Sequence, residues 1–289
     1  MKELVVISGK GGTGKTTFVL ALGSIFKGSV LADCDVDAAD MFLVLNPEVK
    51  ESYDFSGGKK AFIDKTNCTE CGKCIEVCEY DAISPDFVVD EVKCEGCGSC
   101  VYFCPEKTIE FNEVVSGKVF ISETRLGPFV HARLKPGMEN SGKLVSKVRN
   151  EAKKIAIEKG KEIILTDGSP GVGCPVISSI SGADYVVVIT EPTVSGIHDL
   201  ERVIDLLQHF KITGGVVVNK WDLNPDKSLE IEGFCERLGV DFLGKIPYKI
   251  EDVLNAMNNS QTVIEYNPDC EVAKAIKNIS ARLRNILNN

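Results

Sequence analysis

An α/β fold with a mostly parallel, doubly wound sheet, interrupted by one small α+β insertion, is predicted by three features of the sequence. The chain opens on an apolar run, a glycine-rich loop and a stretch with helical apolar spacing. Further apolar runs recur, several ending in Asp or Asn, with helical segments between them, the alternation that builds parallel strands wrapped by helices. Between these parts, eight of the twelve cysteines crowd into two short runs that echo each other. A length of 289 residues holds one large domain and a small module.

The first strand–loop–helix unit is "ELVVISGKGGTGKTTFVLALGSIF", whose Phe18, Val19, Leu22, Ile25 and Phe26 are spaced for one buried side. Gly9, four further residues, then Gly14-Lys15-Thr16 match the phosphate-binding P-loop. Its backbone N–H groups and the helix N-terminus favour phosphate oxygens, so Gly11, Gly12, Thr13, Gly14, Lys15, Thr16 and Thr17 form the expected nucleotide-binding set. Lys15 reaches for the β- and γ-phosphates and Thr16 for Mg²⁺. A second strand, Val30 to Ala32, ends in Asp33, Asp35 and Asp37. Carboxylates at strand ends beside a P-loop are where an α/β sheet holds metal and water. For Asp37 and Asp40, complementing a helix dipole is an equal reading.

Cys68, Cys71, Cys74 and Cys78 form one C-x2-C-x2-C-x3-C run; Cys94, Cys97, Cys100 and Cys104 repeat it 26 residues later. Three thiolates at steps of three wrap one corner of an iron–sulfur cube. Zinc also uses C-x2-C, but it needs two such pairs rather than a third cysteine at the next step, twice over. Gly72, Gly96 and Gly98 suit tight turns whose amides point at sulfur. Residues 60–113 resemble a bacterial 2[4Fe–4S] ferredoxin along their whole length, except that Glu79 stands where proline is usual. In such ferredoxins the fourth cysteine of each run ligates the other cluster. The resemblance therefore implies one cluster on Cys68, Cys71, Cys74 and Cys104, and a second on Cys94, Cys97, Cys100 and Cys78.

After the module, "EIILTDGSPGVGCPVISSI" is an apolar strand ending at Asp167 and followed by glycines. "GADYVVVITEPT", "GGVVVNKWDLN" and "GKIPYK" supply three more strands. Read alone, Asn219-Lys220-Trp221-Asp222 suggests guanine, with Asp222 accepting from the base. The last helix spaces Val272, Ile276, Ile279, Leu283 and Ile286 for burial against the core. Cys34, Cys235 and Cys270 are expected in the core, and His131, His198 and His209 lack metal-ligand spacing.

With Lys10 ahead of Lys15, the loop resembles the deviant Walker A motif of the Mrp/MinD family, which includes the nitrogenase iron protein. The resemblance implies that Lys10 reaches the partner's nucleotide across an ATP-dependent homodimer. It implies that Asp35 orients the attacking water and that Asp33 is structural or lies behind Mg²⁺. Asp167 would hold the Mg²⁺ shell, and Gly168, Gly171 and Gly173 would let that segment rearrange. Asn219 would meet adenine, with Pro247 flanking the base, so ATP is expected rather than GTP. Cys174 stands where that family's iron protein has a ligand of an intersubunit cluster, but residues 135–148, where a second ligand would be sought, contain no cysteine. A buried helix-start cysteine or a redox-sensitive thiol near the dimer seam is the better expectation.

A net charge of −9 disfavours nucleic acid or an anionic membrane as the main partner. Met1-Lys2-Glu3 leads into only a short apolar run, so neither a signal peptide nor stable membrane insertion is expected. A cytoplasmic location follows, where the cysteines bind metal rather than form disulfides. The expected organisation is an ATPase domain of residues 1–59 and 114–289 around a ferredoxin-like domain of residues 60–113, with residues 46–59 and about 112–118 as tethers. The expected function is an ATP-hydrolysing protein that couples dimer and switch changes to electron transfer through two [4Fe–4S] clusters toward an unidentified redox protein. A cluster scaffold or carrier ATPase, and a redox-sensing positioning or regulatory ATPase, are the alternatives.

Overall fold

The computed structural model describes residues 1–136, 138 and 142–288. Its elements are β1 (Lys2–Ser8), α1 (Lys15–Ile25), β2 (Val30–Asp33), α2 (Met41–Leu45), β3 (Glu48–Ile63), α3 (Lys73–Glu76), α4 (Ser99–Phe103), β4 (Ile109–Thr124) and β5 (Gly127–Leu134). They continue with α5 (Lys143–Glu158), β6 (Ile163–Pro170), α6 (Cys174–Ile180), β7 (Tyr185–Thr190), α7 (Val194–His209), β8 (Gly214–Asn219) and α8 (Pro225–Leu238). The chain closes with β9 (Asp241–Ile246), α9 (Ile250–Asn258), α10 (Val263–Tyr266) and α11 (Glu271–Asn288). The strand order is β3-β4-β5-β2-β6-β1-β7-β8-β9. From β5 to β9 every neighbouring pair is parallel.

The chain divides into two compact units, one of Met1–Ser52, Val119–Ala132 and Asn140–Asn289, the other of Tyr53–Lys118 and Arg133–Glu139. In the first unit, β1 is buried on both faces, and its alternation sorts the core into two layers. Leu4 and Val6 join Phe18 and Leu22 of α1 and Ile276, Ile279 and Leu283 of α11. Val5 and Ile7 join Val176 of α6, Leu200 and Val203 of α7 and Ile231 of α8. The helix α11 thus spends its apolar stripe on the core, and no helix among the described residues is long and apolar enough to cross a membrane. Cys34, Cys235 and Cys270 are buried, and His131 is stacked on Phe120 and Phe129.

Arg125 fastens the β4–β5 turn to its surroundings. Its guanidinium donates to both carboxylate oxygens of Glu265 (2.8 and 2.9 Å) and to the carbonyls of Val44, Leu45 and Ser260. Two of those carbonyls end α2, where the helix leaves acceptors without partners. Arg125→Ala is expected to lower unfolding free energy by about 2 kcal/mol, the surface exposure of the pair discounting its charge. Urea denaturation reads this directly.

Residues 46–59 and 112–118, the expected tethers, lie largely in the two 16-residue strands β3 and β4. The second unit accordingly extends beyond residues 60–113. Within it the cysteine repeat is a repeat of backbone shape as well. Asp64 accepts from Thr66 N and Asn67 ahead of Cys68, and Asp90 accepts from Val92 N and Lys93 N ahead of Cys94. Left-handed residues recur in pairs 26 apart: Glu70 and Gly96 (φ 53° and 62°), Gly72 and Gly98 (76° and 77°), Asp81 and Lys107 (48° and 53°).

Candidate functional site

The sheet reverses direction of winding at β1, between β6 and β7, and the C-terminal ends of its strands open a crevice there. The loop after β1 lies at that crevice and leads into α1, whose Gly14 (φ 92°) turns the backbone so closely that a Cβ would meet Asn219 Nδ2 at 2.5 Å. Asn219 Nδ2 donates to Thr13 O (2.7 Å), so the end of β8 braces the loop.

Lys15 is 5% exposed, and its Nζ lies 3.3 Å from Asp35 Oδ2. Thr16 Oγ1 donates to Asp167 Oδ2 (2.6 Å). Asp33 and Asp167 stand opposite each other in the β2–β6 register. Asp33 Oδ2, Asp167 Oδ1 and Thr13 Oγ1 are buried with no hydrogen-bond partner among the described residues. Burial, with the neighbouring carboxylates Asp167, Asp40 and Asp35, holds the Asp33 carboxyl well above its usual range. Burial also pushes Asp167 up to about 7, against the pull of Lys15 and Thr16. Unpaired buried carboxylate oxygens beside a P-loop threonine are the donor set a hard divalent cation takes. Two contacts tie the strand ends together: Ser169 Oγ donates to Cys34 O (2.8 Å), and Gly171 N donates to Ser8 O (2.8 Å).

The raised carboxyl gives a signed pH prediction. Asp167 keeps a proton in the folded state, with pKa about 7, that the unfolded chain releases near 3.8. Its contribution to stability is therefore lost as pH rises through that window. Asp167→Asn protein is expected to gain stability relative to wild type between about pH 4 and 7, measured by denaturant unfolding without nucleotide.

Lys10 Nζ lies 3.2 Å from Glu191 Oε2, 3.3 Å from Ser195 Oγ and 3.5 Å from Thr193 Oγ1. Lys220 Nζ shares Glu191 (2.5 Å) and donates to Gly12 O (3.3 Å). Glu191 was not anticipated from the sequence; its signal was its place just after β7. Beside the loop runs a cavity of about 230 Å³, walled by Gly14, Thr17, Phe18, Asn219, Pro247, Tyr248, Val253, Leu254 and Ile276. Its apolar walls suit a flat base. Asp222, the candidate guanine acceptor, takes Tyr248 N on Oδ1 (2.7 Å).

In the second unit the eight thiols line two separate recesses. Cys68, Cys71, Cys74 and Cys104 line one. Cys78, Cys94, Cys97 and Cys100 line the other. Glu70 N lies 3.4 Å from Cys68 Sγ, and Ala82 N lies 3.4 Å from Cys78 Sγ. Burial pushes the Cys100 thiol up to about 11, whereas the Ser99 hydroxyl and amide draw Cys97 down. Among the described residues no three His, Cys, Asp or Glu side chains converge closely enough to hold a single metal ion. Cys174 is exposed at the start of α6, which removes the reading of a buried helix-start thiol. Residues 137 and 139–141 of the 135–148 segment lie outside the described residues.

The chain is similar to known proteins over nearly all of its length. An uncharacterized protein of Methanocaldococcus jannaschii is 36% identical over 226 residues, covering 77% of this chain and 79% of its own. The septum site-determining protein MinD of Neisseria meningitidis is 26% identical, covering 98% and 90%. Among solved structures, Pyrococcus horikoshii MinD complexed with Mg-ADP superposes with a TM-score of 0.58 at 19% identity, covering 98% and 95%, a likeness of fold. Residues 4–263 match the CobQ/CobB/MinD/ParA nucleotide binding domain, and the P-loop, the facing aspartates of β2 and β6 and most of the cavity's walls lie within them. The chain belongs to the CobQ/CobB/MinD/ParA nucleotide-binding family.

Proposed function

We propose that this protein is a Mg²⁺-dependent, ATP-hydrolysing switch of the MinD/ParA type whose nucleotide state is coupled to two [4Fe–4S] clusters held by residues 53–118. The observation that carries the reading is the sorting of thiols. Each recess takes three cysteines from one run and the fourth from the other, the crossed pattern of two-cluster ferredoxins.

In the nucleotide site, the loop amides, Lys15 and the start of α1 bind and orient the phosphates. Thr16 and Asp167, with Asp33 behind, would hold Mg²⁺, which supplies charge neutralisation at the phosphates. Asp35 is freed when Lys15 turns from it to phosphate and then positions the attacking water. Asn219 fixes the loop while Pro247 and Tyr248 wall the base. Asp222 is engaged by Tyr248 N, and this favours adenine over guanine. Lys10 leaves Glu191 to reach the nucleotide of a second copy, making ATP the glue of a homodimer.

Two readings of the clusters differ in what they send onward. Relatives named as septum site-determining MinD favour a positioning or regulatory switch in which the clusters sense redox state. Delivery of electrons to a protein acceptor rests on the thiol recesses alone. A carrier that gives its clusters away is the weakest reading, since four thiolates per cluster hold it firmly. Anaerobic reconstitution with iron and sulfide tests the shared core: about eight iron atoms per chain and Mg²⁺-dependent ATP turnover are expected. Colourless protein, or protein without ATP turnover, ends the proposal. Turnover that follows cluster oxidation state with no acceptor present selects the sensor; turnover indifferent to it, with ATP-dependent reduction of an acceptor, selects the relay.

A further inference from the structure

The two halves of the cysteine repeat match in turns and left-handed residues but differ in one buried charge. Lys60, on β3, is 7% exposed. Its Nζ donates to Glu91 O (2.7 Å) and to the carbonyl of Cys94, the first ligand of the second run. The strand presses on that loop from the neighbouring residue too: a Cβ on Gly96 would meet Lys59 O at 2.1 Å. Among the described residues no buried lysine bears on the first run; Lys73, which lines its recess, is partly exposed and paired with Glu76 (2.9 Å). The residue 26 positions after Lys60 is Asp86, which is exposed. Glu70, the counterpart of Gly96, carries its side chain into solvent.

Taking a lysine out of water is costly unless its donors are satisfied, and here two backbone carbonyls satisfy it at the loop that carries Cys94. A positive charge held there favours added negative charge on the group those thiolates bind. The exposed carboxylates around both loops are screened by water and salt, whereas a buried charge is screened much less. Cluster potentials follow the local charge and hydrogen bonding of the binding loop.

We infer that Lys60 sets the two clusters apart, making the one on Cys78, Cys94, Cys97 and Cys100 the easier to reduce. The inference rests on the cluster-binding reading above. A single electron from a low-potential one-electron donor then settles on that cluster, reducing it by one, while its partner stays oxidised. Lys60 acts here as a positioning and tuning residue through the Cys94 loop.

Potentiometry of reconstituted protein, read by electron paramagnetic resonance with dithionite as reductant, tests it. Two one-electron waves are expected in the wild type. Lys60→Gln, which keeps donors but removes the charge, is expected to lower the reduced fraction of the upper wave about tenfold at fixed poise, about 59 mV for one electron. The lower wave should stay put, and Lys60→Arg should keep the wild-type separation. A single potential for both clusters in wild type, or an unmoved upper wave in Lys60→Gln with full iron content, overturns the inference. Protein that takes up no iron at all defeats instead the cluster-binding reading beneath it.

Discussion

Lys15→Met protein is expected to turn over ATP at least about a hundredfold more slowly than wild type, the loss typical of removing one preorganised electrostatic donor. The lysine is the buried cation nearest the phosphate loop, and it also partners Asp35 at 3.3 Å in the nucleotide-free protein. Methionine fills similar space without charge, leaving Asp35 to stand near Asp33 and Asp167 without compensation. Turnover and nucleotide binding should therefore fall together, because the same amine serves ground state and transition state. Steady-state phosphate release and calorimetric titration of Mg·ADP measure the two losses, with circular dichroism confirming the fold. Turnover within a fewfold of wild type would mean that the loop does not hold the reacting phosphates.

The second large effect concerns which of the proposed clusters each cysteine serves. Cys104 ends the second run in sequence but lines the recess of the first run's other cysteines, and Cys78, which ends the first run, does the reverse. Cys104→Ala should remove one intact four-iron cluster, so iron falls from about eight to about four per chain. Adding Cys71→Ala should cost nothing more, because both ligands belong to one cluster. Adding Cys97→Ala instead should abolish the second cluster as well. Were each run to hold its own cluster, the two double variants would exchange outcomes. Iron analysis with Mössbauer counting of intact clusters separates the patterns.

The parts of this protein legible in its sequence are those whose chemistry is local. A P-loop needs its glycines, lysine and threonine in adjacent positions, and the proposed clusters need cysteines at steps of three, so both patterns are written in short windows. Asp33 and Asp167 were legible because each ends an apolar run, and parallel pairing sets such ends side by side. What stayed hidden depends on distant partners. The strand β3 reads "EVKESYDFSGGKKAFI", largely polar and broken by Gly57-Gly58, so its strand character comes from pairing with β4, many residues on. Glu191 acquires its role only from Lys10 and Lys220, brought in by two other strand ends. Asp222 reads alone as a base acceptor, and its contact with Tyr248 N, 26 residues on, is one that no local spacing announces. Arg125 carries no motif; its importance lies in five acceptors drawn from three separate stretches.

The central claim is that nucleotide binding and cluster reduction are coupled within one chain, and coupling between two binding events must be reciprocal. The most direct measurement is the dissociation constant of a non-hydrolysable ATP analogue with Mg²⁺, taken on reconstituted protein before and after dithionite reduction. A difference of about fivefold or more, matched by an equivalent shift of cluster potential when the analogue is bound, is the expected result. Equal affinities for the oxidised and reduced protein would contradict the claim, leaving an ATPase and a pair of clusters that share a chain but not a mechanism.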